Sequence, residues 1–192
     1  MGLLDLYKES WEFIKESRNY IYLVVGLFFL SALFGFLFPI FFVETIQQFI
    51  QQVVSQTEGM NFLQLAVFII QNNITVSFFG MLFGIVLGIF PLILSFFNGY
   101  VLGFVSNSVV SEAGFLPLLQ LVPHGIFEIP ALFLALALGL RMGVYIFIKD
   151  KIKKNKGFKY IFENCLKVFL LVIIPFLILA GVIEALLIVL AS

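Results

Sequence analysis

The segment Pro123-His124-Gly125-Ile126-Phe127-Glu128-Ile129-Pro130 sets the chain's only histidine four residues ahead of a carboxylate, at the mouth of a long apolar run. On a helix that spacing leaves the two Cβ atoms about 5–6 Å apart on one face, close enough to share a proton or bridge a water. An ionisable side chain in hydrocarbon costs roughly 2.5–3.5 kcal/mol on insertion scales, so such groups are paired, hidden inside a bundle or put to use. Three chemistries fit: a structural hydrogen bond locking a bent helix, a proton or ion relay, and hydrolysis. The rest of the chain speaks against hydrolysis. A catalytic zinc needs three protein ligands, and the sequence has no second histidine, no HExxH, no GxSxG and no aspartate pair. The chain therefore reads as non-enzymatic, with no metal and no cofactor.

The backbone around the pair is expected to be bent. Pro123 suits a first helical turn, where its missing N–H costs nothing, whereas Pro130 lies inside and leaves the Ile126 carbonyl without its donor. With Gly125 between them, the segment could form a half-helix around a small polar pocket. Asn98 and Arg141, also polar within apolar runs, are the residues that could extend a relay towards the other leaflet.

These residues need elements to hold them, and composition says which kind. Of the 192 residues 62% are hydrophobic and only 11% charged, against about 25% charged in a soluble domain. The expected fold is all-α, a polytopic integral membrane protein with five transmembrane helices and two interfacial amphipathic helices. By the requirement of about 20 residues per span, the spans fall at 20–42, 74–97, 98–112, 115–148 and 165–191, the fourth with a start that is either re-entrant or part of an over-long span. The run 74–111 is too long for one crossing and divides at Asn98-Gly99. Pro175 predicts a kink in the last span.

Leu3, Leu4, Tyr7, Trp11 and Ile14 repeat at helical spacing opposite charged residues, which predicts an interfacial helix over 1–19. A second, outer amphipathic segment is expected over 44–72, where Ile46, Phe49, Ile50, Val53 and Val54 oppose Gln47, Gln48, Gln51, Gln52 and Gln56. Lys8, Lys15 and Arg18 precede the first span, and a basic loop at 149–163 follows the fourth. The opposite side carries Glu44, Glu58 and Glu112, so the positive-inside rule predicts a cytoplasmic N-terminus, an external C-terminus and a multi-pass cell-membrane protein. Zero net charge argues against a nucleic-acid partner. Asn73-Ile74-Thr75 matches a glycosylation acceptor by type alone. Cys165, being single, makes no internal disulfide.

Small residues mark the packing faces: Gly80, Gly84 and Gly88 in the second span, and Ala131, Ala135, Gly139 and Gly143 in the fourth. Each ladder gives a flat face for close backbone approach, either within the chain or across a homodimer seam.

The order Asn98-Gly99-x-x-Leu102-Gly103, then Pro123-His124-Gly125-x-x-Glu128-x-Pro130-Ala131, then Gly139-Leu140-Arg141-x-Gly143 resembles the stage II sporulation protein M family over nearly the whole chain. The resemblance implies a membrane-embedded component without a reaction of its own. The expected function is thus a non-enzymatic scaffold or anchoring partner of a membrane or cell-envelope complex, a homo-oligomer with a dimer favoured. The alternative is a small proton- or ion-coupled transporter or channel using His124 and Glu128.

Overall fold

The computed structural model describes residues 2–147 and 157–191, and the side chains of residues 119–124, 147 and 191 lie outside that description, as does most of the basic loop. The fold is an all-α polytopic membrane bundle, and five of its helices are long and apolar enough to cross a bilayer.

Helix α1 (Leu3–Glu16) starts where the Gly2 N–H is capped by Asp5 Oδ2 at 3.0 Å. Ser10, Phe13 and Ile14 turn towards the bundle, while Leu3, Leu4, Tyr7 and Trp11 remain exposed. The apolar stripe read from the sequence is therefore divided: Ile14 belongs to the core, and the other four form an outward apolar edge. Ser17 alone separates α1 from α2 (Arg18–Leu37).

After α2 the chain turns through Pro39 into α3 (Val43–Thr57). The Tyr100 hydroxyl organises this turn: it donates towards Phe38 O (2.9 Å) and Phe41 O (3.1 Å) and accepts the Phe41 N–H (3.0 Å). Phe42 takes a left-handed conformation, φ 57°, immediately before α3.

The outer segment expected over 44–72 ends earlier than its polarity suggests. Asn61 caps a new helix, α4 (Phe62–Leu82), by accepting the Gln64 N–H at 3.0 Å, and the Gln64 side chain returns the bond to the Asn61 N–H. This reciprocal cap satisfies two orphan donors. The glutamines and asparagines of 64–73 thus belong to a spanning helix.

The division of the long apolar run also differs from expectation. α4 continues as a tight turn over Phe83–Ile85, and the chain reverses where Leu87 (φ 63°) and Gly88 (φ 69°) are both left-handed. α5 (Ile89–Ala113) follows, with Pro91 in its first turn, where no donor is missed. Asn98 and Gly99 lie inside α5. The Asn98 amide donates to Leu94 O at 2.8 Å, so the helix absorbs its polarity, and Gly99 is a packing residue.

A short turn over Leu116–Leu121 leads to α6 (Val122–Phe147), which runs on through Pro130. The last span is built from α7 (Phe158–Val168), a widened π-helical turn over Phe169–Ile173, and α8 (Ile174–Ala191). Pro175 lacks the N–H that Leu171 O would accept, and the widened turn beside it accommodates that loss.

Two seams of small residues hold the bundle. Ser95, Gly99, Gly103 and Asn107 recur every four residues along α5 and meet α2 in parallel. Ser95 Oγ donates to Val24 O and Asn107 Nδ2 to Phe36 O, both at 2.9 Å and both 71 residues apart in sequence. A Cβ on Gly99 would strike the Phe28 backbone and Ser31, and one on Gly103 the Ala32 carbonyl. In the second seam Gly84 lies on the Gly139 backbone and Gly143 on Gly84 and Gly88, while Gly80 faces Leu136. The two glycine ladders singled out in the sequence therefore pack on one another inside a single chain. Ala131 and Ala135 of the second ladder are fully buried.

Candidate functional site

At the end of the bundle remote from α1, a cavity of about 230 Å³ is lined by Gln52 and Gln56 of α3, Asn72 and Asn73 of α4, Glu128 of α6 and Glu184 of α8, with Phe49, Val53, Phe68 and Ile69 as its apolar wall. Four separate helices thus bring two carboxylates and four carboxamides to one place. At 1.5 Å per residue, Glu128, Glu184 and Asn73 lie about 9, 11 and 17 Å in from Val122, Ala191 and Phe62, the helix ends on the cavity's side of the bundle. A hydrocarbon core is about 30 Å thick, so these depths run from near one face of the bundle to about its middle.

One oxygen of Glu128, one oxygen of Glu184 and the Asn73 Nδ2 are shut off from solvent. The Asn72 amide points at Asn73 Oδ1 across a long 3.4 Å, and Asn73 Nδ2 has no hydrogen-bond partner among the described residues. An enclosed Nδ2 inside a helix does not suit the glycosylation suggested by Asn73-Ile74-Thr75. Among the described residues no lysine or arginine lines the cavity. Among the described residues no group of three or more His, Cys, Asp or Glu is gathered.

Of the residues singled out in the sequence, Glu128 lines this cavity. His124 falls in the first turn of α6, and its side chain lies outside the described residues, as does that of Pro123. Gly125 follows in the same turn with the Ile129 side chain as its near neighbour among the described residues. Asn98 and Arg141 do not line the cavity. Between it and α1 stands a band of fully buried apolar side chains, Met81, Leu136, Leu138 and Met142.

Arg141 serves a different purpose. Its guanidinium donates to Ser17 Oγ (2.7 Å), Phe13 O (3.2 Å) and Glu16 Oε2 (3.0 Å), and lies 3.9 Å over the Phe13 ring. Its side chain is 12% exposed. The sequence offered it as a residue that could extend a relay towards the other leaflet. The structure instead folds the guanidinium onto the C-terminal turn of α1, where carbonyls gather and cations are favoured. Lys167 adds a second tie, 3.1 Å from Glu9, and Cys165 is buried with its thiol 3.9 Å from Leu138 O.

Sequence reasoning missed Glu184 and Asn72 and did not place Gln52 and Gln56 at a cavity. Glu184 had a signal: it is the single charged residue of the apolar run 168–191, and an acid in such a run marks a site by default. The amides had none, because their significance depends on α3 folding over α4.

The stage II sporulation protein M model matches residues 24–187. An uncharacterized protein of Methanocaldococcus jannaschii is 31% identical, over 96% of this chain and 91% of its own length. No solved structure matches the chain. The matched region contains all five apolar helices or most of each, both small-residue seams and every polar residue of the cavity, and the chain belongs to the stage II sporulation protein M family.

Proposed function

We propose that the chain is a small membrane carrier that takes up a proton or cation in the cavity between Glu128 and Glu184. The observation that carries this reading is that both intramembrane acids border open space. Both acids line a cavity of about 230 Å³, with room for several waters at about 30 Å³ each. His124, one turn before Glu128 in α6, would tune the site. The packed band below the cavity means that passage requires rearrangement, with Pro130 and the widened turn at Phe169–Ile173 as places where the helices can flex. This favours a carrier over an open channel.

Flux through purified protein in sealed liposomes tests the proposal. The native chain should dissipate an imposed ion or pH gradient, and Glu128→Gln and Glu184→Gln should each lower the rate at least tenfold while retaining native thermal stability. Equal flux in the variants and the native chain would overturn it.

The second reading is a non-enzymatic scaffold of an envelope complex, with its N-terminus cytoplasmic and its surfaces available for a partner or a second copy. It is favoured by the packed band itself and by the exposed apolar edge of α1. Under this reading there is no flux, and affinity capture retrieves the same membrane partner from native and Glu128→Gln cells.

A further inference from the structure

Helix α1 carries four acids, and three of them are engaged. Asp5 caps the Gly2 N–H, Glu9 pairs with Lys167 at 3.1 Å, and Glu16 receives the Arg141 guanidinium at 3.0 Å. Lys8 and Lys15 remain exposed, and neither joins an ion pair among the described residues. With Tyr7, Trp11 and Glu12 they line a shallow groove along the outer side of α1. Trp11, 56% exposed, also borders a second cavity of about 260 Å³, bounded by Ile14, by Ile21 of α2, by Pro130 of α6 and by Val172 and Phe176 of the last span. Every described side chain that lines this cavity is apolar. A groove with net positive charge and a cavity without a polar side chain thus meet at one indole.

We propose that the two together bind one anionic phospholipid from the leaflet on the α1 side, its phosphate against Lys8 and Lys15 and one acyl chain in the apolar cavity. The length fits that occupant. Arg141 and Lys167 both hold α1. At 1.5 Å per residue, Pro130 lies about 16–17 Å along α6 from Arg141, and Phe176 about 13–14 Å along the last span from Lys167. The cavity therefore reaches to the depth of one leaflet, half of a hydrocarbon core of about 30 Å. The charge fits as well: two lysines against Glu12 leave one net positive charge at the mouth, which favours an anionic headgroup. Trp11 stands between head and tail, at the boundary where tryptophan is enriched. A partner helix, at about 10 Å across, is too wide for the cavity, whereas a single hydrocarbon chain is narrow enough to enter. The site lies at the end of the bundle opposite the polar cavity and does not depend on the carrier reading. Its lipid would hold α1 against the bundle alongside the Arg141 and Lys167 ties.

Trp11 is the chain's single tryptophan, so its fluorescence reports on this site alone. The full chain is placed in phosphatidylcholine nanodiscs with rising fractions of phosphatidylglycerol whose brominated chains quench tryptophan on contact. A parallel series carries the bromine on phosphatidylcholine instead. Phosphatidylglycerol should reach half-maximal quenching at about fivefold lower mole fraction than phosphatidylcholine, the effect of one net charge near the surface. Lys8→Gln/Lys15→Gln changes exposed side chains only, so it should keep the native Tm in detergent and remove that preference. Leu134→Phe narrows the apolar cavity, which Leu134 also lines, and should raise the phosphatidylglycerol midpoint about fivefold; the lysine variant decides the test if Leu134→Phe fails to fold. Equal midpoints for the two lipids, or a preference that the lysine variant keeps, identify ordinary bulk lipid and overturn the inference. So does a midpoint unmoved in folded Leu134→Phe. Absence of quenching by either lipid would mean that protein covers the groove, and overturns it too.

Discussion

At the scale of single residues, Arg141 ties the Phe13 carbonyl to the Ser17 and Glu16 side chains, and Tyr100 ties the Phe38 carbonyl to the Phe41 backbone. Removing Arg141 leaves Phe13 O, Ser17 and Glu16 without a charged donor, and hydrogen bonds to charged groups contribute about 1.5–3 kcal/mol each. Arg141→Met should therefore lower stability by about 2–3 kcal/mol, and Arg141→Lys should recover only part of that, since an ammonium cannot span three acceptors and stack on Phe13. Thermal unfolding in detergent reads both. Tyr100→Phe should cost about 1–2 kcal/mol by freeing the turn between α2 and α3, and the same assay measures it. Chemistry was legible at this scale where it was local. The His124 and Glu128 pair is visible because its members are four residues apart, and Glu128 does border the cavity. Arg141 was visible as an oddity but not as a clamp, because its partners lie more than 120 residues away.

Among the elements, the two seams predict which glycines tolerate a side chain. Gly99→Ala and Gly84→Ala place a Cβ into facing backbone, where nothing flexible can give way. Each should cost about 1–3 kcal/mol, as overpacking does. Gly26 of α2 has open space around it, so Gly26→Ala should be neutral or slightly stabilising by helix propensity, about 1 kcal/mol at most. Chemical or thermal unfolding of the three variants side by side gives the comparison. Helix type and the number of spans followed from hydropathy, which depends only on composition along the chain. The limits of the second and third spans did not. An Asn-Gly step reads as a turn on its own, and only α2 lying against Gly99 and Gly103 explains why it stays helical. The true reversal needs a left-handed leucine, Leu87, which no local rule anticipates.

For the whole molecule, the glycine ladders bear on assembly. Both are used within one chain, so a Gly84→Leu or Gly139→Leu variant should unfold the bundle and not simply convert a dimer to a monomer. Light scattering of the purified variants together with their yield of folded protein distinguishes the two outcomes. The parallel pairing of α2 with α5 has a separate consequence for how the protein is made. Val24 and Ser95, like Phe36 and Asn107, meet across 71 residues of sequence. At about 5–20 residues per second, the first span leaves the ribosome some 4–14 s before its partner exists. Through that interval its Ser31 and Gly35 face lies open to lipid or to the insertion machinery, which makes the third span, and not the second, the one whose arrival commits the chain to its final arrangement.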